Sequence, residues 1–280
     1  MGRAKKRKSE IEALKREMGA AWARWNVEPD AQRQLMRGIE PLHQGPEPTI
    51  AMARSLRKLL EQAKVDGSVE EAVAFIAAMV NATVRGLSEV PIACGKGCSH
   101  CCNLWVSVSA LEALALAKLA RKRGDETMER IRDANDFTQR FSHGDRGEHP
   151  HPCPFLESNL CSIYDDRPAS CRQAASEAAD ICARSIFTTN EEVPTPLPYL
   201  VSRTMYGIAT ACALREAGLD HKTYELNNAV VRALAVENAE ARWLAGEDIF
   251  NGVQVEPVDW FSKPEVRQIH QIAFGHSVDI

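Results

Sequence analysis

The feature that most constrains how this chain can fold is a pair of short runs that contain seven of its nine cysteines. The first run, CGKGCSHCC, covers residues 94–102, and the second, CPFLESNLCSIYDDRPASCR, covers residues 153–172. Glycine and proline in and beside these runs predict loops rather than regular elements. Thiols concentrated on loops indicate a site built from sulfur. The seven cysteines are Cys94, Cys98, Cys101, Cys102, Cys153, Cys161 and Cys171.

The cellular compartment decides whether clustered thiols form disulfides or bind metal. No apolar segment follows the basic start MGRAKKRK, as a secretory signal would require. The longest apolar run, residues 72–80, is far shorter than the roughly 20 residues that span a bilayer. We therefore expect a cytoplasmic protein without membrane contact, whose clustered thiols are metal ligands or redox-active groups. Cys182 and Cys212 lie in helical patterns and are predicted to be small buried residues.

Composition and periodicity favour helices. Aromatic residues make up only 6% of the chain, alanine-rich stretches are common, and apolar residues recur at helical spacing in most segments. Residues 104–109 alternate briefly and predict one short extended stretch. The predicted fold class is mainly α, a helical bundle with a cysteine-rich metal-binding loop core and little or no β-sheet.

We divide the chain into four segments at its proline- and glycine-rich breaks. A capping box at Ser109 and Glu112 opens a helix, and residues 131–141 predict a partner helix that runs back. This hairpin is expected to bring the two cysteine runs to one place. The predicted segments are a basic N-terminal tail with a helical extension (1–45), a helical pair (46–90), a cysteine-cluster metal-binding domain (90–185) and a C-terminal helical region packed on it (186–280).

The residues around Cys171 are expected to favour ionisation of its thiol. Pro168 is predicted to open a helix that Asp166 or a neighbour caps, so that Cys171 lies in its first turn. The helix dipole and a nearby Arg167 or Arg172 would then favour the thiolate form. Three histidines lie in or beside the cysteine runs, but loop histidines are usually solvated, and we do not expect them to be ligands. They are His100, His149 and His151.

The two runs together resemble the YkgJ-type cysteine-cluster family, a zinc- or iron-chelating domain with a C-x-x-C-x-x-C-C signature. The resemblance extends from about residue 90 to residue 185. One departure from the signature is the gap between Cys94 and Cys98, which holds three residues instead of two. The matching residues of the second run are Cys153, Pro154, Leu156, Cys161, Ser162, Ile163, Tyr164, Arg167, Pro168, Cys171 and Arg172.

The spacing of the cysteines does not decide whether they bind a [4Fe–4S] cluster or zinc. Each takes four ligands, so the seven thiols exceed the needs of one site. Adjacent Cys101 and Cys102 point in different directions and are candidates to serve different ions. An all-thiolate set in a Cys-Pro context favours iron–sulfur slightly, with zinc close behind.

Three functions follow from this reading. The first is a metal-binding protein with a structural or electron-transfer role, because no nucleotide loop, metalloprotease motif or nucleophile elbow is present. The second is an enzyme, an iron–sulfur oxidoreductase or a protein methyltransferase, since flagellin lysine N-methylases contain a domain similar to this cysteine cluster. The third is an adaptor that uses the basic N-terminus to contact a protein or nucleic acid. The net charge of −4 argues against general nucleic-acid binding. The partner or substrate is not readable from the sequence.

Overall fold

Helices form most of the part of the chain that the computed structural model describes, which is residues 2–37, 45–186 and 192–277. The prediction of a mainly α fold is confirmed. The α-helices are α1 (Gly2–Arg24), α2 (Pro29–Arg37), α3 (Glu47–Asp66), α4 (Glu70–Gly86), α5 (Ala110–Arg123), α6 (Asp125–Thr138), α7 (Ala169–Arg172), α8 (Ala179–Ser185), α9 (Leu197–Glu216), α10 (Leu226–Ala235), α11 (Ala239–Leu244) and α12 (Pro264–Phe274). The strands are β1 (Ser107–Ser109), β2 (Leu156–Glu157), β3 (Leu160–Cys161) and β4 (Thr223–Glu225).

The long helices α3 and α9 pack against each other at the centre of the molecule, with α2, α4 and α12 around α3. The residues Met52, Leu56 and Leu60, which recur at helical spacing along one face of α3, are at most 1% exposed. Gly67 ends α3 in the left-handed conformation, with φ 68°, as the predicted break required. A second group forms where α5 packs on α6 and both contact α10.

One continuous hydrophobic core runs through residues of all four predicted segments, from Leu14 to Val266. Helix α1 contacts α4 and begins at Gly2, so the backbone of the basic start is helical where we expected a tail. The proposed segment boundaries remain a prediction. No helix in the described ranges is both long enough and apolar enough to cross a membrane.

The strands β1 and β4 form a small antiparallel pair in which Ser107 faces Glu225. Each strand leads directly into a helix and supplies its cap. Ser109 and Glu112 form the predicted capping box of α5, and Glu225 accepts a hydrogen bond from the Asn228 backbone N–H at 2.7 Å. The pair therefore sets where α5 and α10 begin, and α5 in turn leads away from the first cysteine run.

Glu225 provides a pH-dependent stability prediction. Its side chain is 1% exposed, and burial raises its pKa to about 7, against the opposing effects of the Asn228 hydrogen bond and Arg146. The folded state then holds a proton that the unfolded chain has lost, so this contribution to stability is present below about pH 4.5 and is lost as pH rises through about 7. We expect wild type to lose on the order of 2–3 kcal/mol over this range relative to Glu225→Gln, which keeps the capping oxygen. Urea unfolding at several pH values measures the difference, and parallel pH profiles for the two proteins would refute it.

Gly207 in α9 lies against the ring of Trp260. A Cβ atom at this position would be 2.6 Å from Trp260 Cζ2, so Gly207→Ala forces the ring or the helix to move. We expect a loss of about 1–3 kcal/mol in the free energy of unfolding. Gly19 of α1 is exposed, and a Cβ atom there would have no other atom within 4 Å. We therefore expect Gly19→Ala to leave the free energy of unfolding unchanged or to increase it. Equal effects of the two substitutions in chemical unfolding would show that the close approach has no energetic consequence.

Candidate metal centre

The first cysteine run is an irregular loop that ends in a 3₁₀ turn over His100–Asn103. Gly97 has φ 88°, a conformation that favours glycine. The Cys98 N–H donates to the Gly95 carbonyl at 3.0 Å, and the Asn103 side-chain amide donates to the Ser99 carbonyl at 3.0 Å. These local bonds fold the backbone into consecutive tight turns, which carry the four cysteines of this run.

Backbone hydrogen bonds join the second run to the first. The Cys153 N–H donates to the Cys102 carbonyl at 2.7 Å, and the His151 N–H donates to the Asn103 carbonyl at 2.9 Å. Helices α5 and α6 form the predicted hairpin between the two runs. The structure thus brings together two loops that are separated by these helices in sequence.

Cys161 lies on the two-residue strand β3, which pairs with β2. The turn between them requires positive φ at Ser158 (50°) and Asn159 (62°). Buried Phe155 and Ile163 on either side anchor this small hairpin in the hydrophobic core. Because the hairpin is fixed at both ends, the Cys161 side chain has a defined position beside the other two cysteines of its run.

Cys171 lies in the single turn of α7, which follows Pro168 as predicted. The predicted cap by Asp166 is wrong, because the Ala169 N–H donates instead to Oε1 of Glu112 at 2.7 Å. The other oxygen of this carboxylate accepts the Ser109 N–H and hydroxyl of the α5 capping box. Glu112 therefore fixes the beginnings of two helices at once and positions Cys171 relative to α5.

Arg172 and Arg167 brace the loop before α7. The buried guanidinium of Arg172 donates to the carbonyls of Arg167 and Asp165 and to the side chain of Asn81. The guanidinium of Arg167 lies 3.6 Å from the centre of the Tyr164 ring. Tyr164, Asp165 and Arg167 thus contribute to the contacts that hold this loop.

The thiols influence one another electrostatically across both loops. Burial raises the pKa of Cys153 and of Cys171 to about 12, and for both thiols the neighbouring Cys161 adds to the effect. The pKa of Cys101 is raised most by its hydrogen bond with Cys102. Cys101 also raises the pKa of Cys94 and of Cys171, so it lies between the thiols of the first loop and those of the second.

The surroundings of the Cys171 thiol raise its pKa, although we expected its helix and the nearby arginines to favour the thiolate form. Burial has a larger effect on its pKa than Arg167, which lowers it. Helix α7 has only four residues, so its dipole is small, and the Arg172 guanidinium is bonded to backbone and amide oxygens. A cation bound among the thiols would supply the positive charge that these elements do not.

Cys182 joins the cluster, contrary to the prediction that it is a buried packing residue. It lies on α8, which contacts the 3₁₀ turn at His100–Asn103, and it raises the pKa of Cys94. The loop before α8 is tied to the first run, because the Ala93 N–H donates to the Ser176 carbonyl at 2.7 Å and the Ser176 N–H donates to Cys94 Sγ at 3.3 Å. A signal was present in the sequence, since Cys182 follows Cys171 by only eleven residues.

Cys212 and two of the histidines lie apart from this group. Cys212 is fully buried in α9, as predicted. The His149 ring stacks on Phe141 at 3.8 Å and the His151 ring on Phe137 at 4.6 Å. These rings pack on α6 and on the segment that follows it.

Eight thiols with only soft sulfur donors fit zinc or iron chemically. Cys101 is exposed and the other seven are partly buried, so the group lies close to the protein surface. Among the described residues, which include every cysteine, no three sulfur atoms lie within 4.8 Å of one another. Four sulfurs around one tetrahedral zinc would be only about 3.8 Å apart at a Zn–S bond length of about 2.3 Å. The spacing is wider than a single-ion site requires.

Comparison with protein families identifies this region. Residues 93–193 match the model of the family CxxCxxCC, described as "Putative zinc- or iron-chelating domain". The match confirms the resemblance to a cysteine-cluster family, and its bounds include all eight clustered cysteines and exclude Cys212. The YkgJ name and the relation to flagellin lysine N-methylases remain predictions. Comparison with curated proteins and with solved structures gave no match.

Proposed function

We propose that the two cysteine loops and α8 form two four-thiolate sets, at least one of which binds an iron–sulfur cluster, and that the protein is an electron-transfer or structural metal protein. The observation that carries this proposal is the convergence of eight thiols from three parts of the chain at one partly exposed place. The number of thiols also bears on the metal, because eight exceed the four that a single zinc ion binds. In a [4Fe–4S] cluster each thiolate binds a different iron, so the sulfurs lie farther apart than around one ion.

Two four-thiolate sets account for all eight cysteines. Cys94, Cys98 and Cys182 form one electrostatic neighbourhood, and Cys153, Cys161 and Cys171 form another. Cys101 and Cys102 lie between them and would each complete one set. The chain supplies the ligand positions through the docked backbones of the two loops, and the bound ions supply the charge that stabilises the thiolates. A bound iron–sulfur cluster would provide one-electron chemistry, whereas bound zinc would cross-link the loops structurally.

An electron-transfer role is supported by the location of the cluster. Cys101 is exposed, its neighbours at 98–100 and 102–103 are partly buried, and residues 95–97 of the same loop are exposed. A redox partner could therefore approach the cluster without displacing any helix. The partner itself, and any catalytic activity, are not specified by these features.

Anaerobic purification followed by a visible spectrum and by iron, sulfide and zinc analysis tests the proposal. We expect a brown protein with iron and acid-labile sulfide in near-equal amounts, and a spectrum that bleaches on reduction. A colourless protein with stoichiometric zinc would replace the electron-transfer role with a structural one. A folded protein containing neither metal would refute metal binding altogether.

A further inference from the structure

A second group of ligand-type side chains lies at the opposite end of α9 from the cysteine loops. Glu216 is the last residue of α9, His270 lies in the last turn but one of α12, and His276 follows that helix. One Glu216 oxygen, Oε2, lies 3.4 Å from His270 Nε2 and 3.0 Å from His276 Nε2. One ligand atom from each of the three residues lies within 4.8 Å of the other two.

His270 is buried with the Glu216 carboxylate 3.4 Å from its Nε2 atom. It is 2% exposed, and neither ring nitrogen makes a well-aligned hydrogen bond to the described residues. The rings of Phe261 and Phe274 lie against it, with centroids 5.8 and 5.0 Å away. Buried polar atoms in folded proteins nearly always have a partner, and for this imidazole the Glu216 carboxylate is the charged group that faces Nε2.

The end of α12 is built so that His276 faces Glu216. Gly275 has φ 85° and reverses the chain after the helix. Arg54 of α3 donates to the carbonyls of Ala273 and Ile272 at 2.7 and 2.8 Å and holds this end in place. His276 Nδ1 lies 3.2 Å from the Phe274 carbonyl. If Nδ1 donates its proton to this carbonyl, Nε2 keeps its lone pair and faces Glu216.

The distances suit a small divalent cation. With zinc–ligand bonds of about 2.0–2.2 Å, neighbouring ligand atoms of a tetrahedral site are about 3.3–3.5 Å apart. The separations of 3.4 and 3.0 Å from the carboxylate oxygen to the two imidazoles are close to this value. His276 is 57% exposed, so a fourth position would face solvent. Two histidines, one carboxylate and one open position are also the donor set of catalytic zinc sites.

We propose that Glu216, His270 and His276 form a binding site for a divalent transition metal, with zinc as the best match and water as the fourth ligand. The site is separate from the cysteine cluster. Tyr199 packs against Ala175, next to Ser176, whose N–H donates to Cys94 Sγ, and Glu216 is seventeen residues further along the same helix as Tyr199. At 1.5 Å per residue the two sites are about 25 Å apart.

The test uses the full-length protein with its cysteine sites loaded as purified. Equilibrium dialysis against Zn²⁺ and Co²⁺ is compared for wild type, His276→Ala, Glu216→Gln and the control His143→Ala, which removes an exposed histidine elsewhere. We expect wild type and the control to bind one further equivalent, and the two site variants to bind it at least tenfold more weakly. The bound Co²⁺ should show visible d–d absorption without a thiolate-to-cobalt charge-transfer band.

Either of two results would overturn the proposal. One is unchanged affinity and stoichiometry in both site variants, provided that circular dichroism shows them folded. The other is a thiolate charge-transfer band for the added Co²⁺, which would place it on cysteines. A loss of thermal stability in His276→Ala that is equal with and without zinc, and no difference in binding, would instead identify the group as a histidine–glutamate ion pair.

Discussion

Replacing Cys171 with serine is expected to lower the metal content of the purified protein and to reduce its free energy of unfolding by several kcal/mol. Cys171 lies where α7, β1 and α5 meet through Glu112, and its thiol lies near those of Cys101 and Cys161. Binding energy at such a site is also folding energy, because the unfolded chain does not preform it. The loss should therefore appear both in metal analysis and in chemical unfolding.

Cys212→Ser is the matched control for this prediction. Cys212 is also a buried thiol whose pKa is raised to about 12 by burial, but it lies in α9 outside the cysteine loops. Its replacement by serine places a hydroxyl in the core and should cost about 1–3 kcal/mol while leaving the metal content unchanged. If both variants retain the full metal content, Cys171 is not a ligand.

Cys182→Ser should also lower the metal content, and this prediction separates the structural account from the sequence-based one. The sequence assigned Cys182 to the same class as Cys212, whereas the structure places it beside Cys94. We expect a loss of about half of the bound metal if Cys94, Cys98 and Cys182 serve one of two sites. The iron or zinc content per chain, measured beside wild type and Cys212→Ser, decides the point.

If Cys182→Ser has the same metal content as wild type, Cys182 is not a ligand and only packs on α8. The remaining thiols would then be the seven of the two loops, and the proposal of two four-thiolate sets would be withdrawn.

Periodic patterns and turn residues were enough to predict much of the fold. The stripes of α3, α4, α9 and α10, the capping box at Ser109 and Glu112 and the α5–α6 hairpin are all local features, and each is present. Such patterns succeed because helix burial and capping depend on residues within a few positions of each other.

Features that depend on distant pairing were not predictable. Strand β4 pairs with β1 across more than a hundred residues, and nothing in the sequence around Thr223 identifies its partner. The cap of α7 comes from Glu112, which is 57 positions away in sequence. The same limit applies to the pKa of Cys171, since burial is a tertiary property and it outweighs the neighbouring arginine.

The candidate site was predicted only where its residues were close in sequence. The two cysteine runs were recognised as one site because each is a dense local pattern, and the α5–α6 hairpin explained how they meet. Cys182 is isolated in sequence and reaches the site through the docking of α8 on the turn at His100–Asn103. Glu216, His270 and His276 were missed for the same reason, because α9 and α12 come together only in the folded chain.

X-ray absorption spectroscopy at the metal edge of anaerobically purified His276→Ala, in which the separate site at Glu216 and His270 is disabled, tests the central claim most directly. If the cysteine loops and α8 hold the metal, the first coordination shell should contain only sulfur, at about 2.3 Å, with a further iron–iron distance if a cluster is present. A shell of nitrogen and oxygen ligands would contradict the account, because it would show that the bound metal is not held by these thiols.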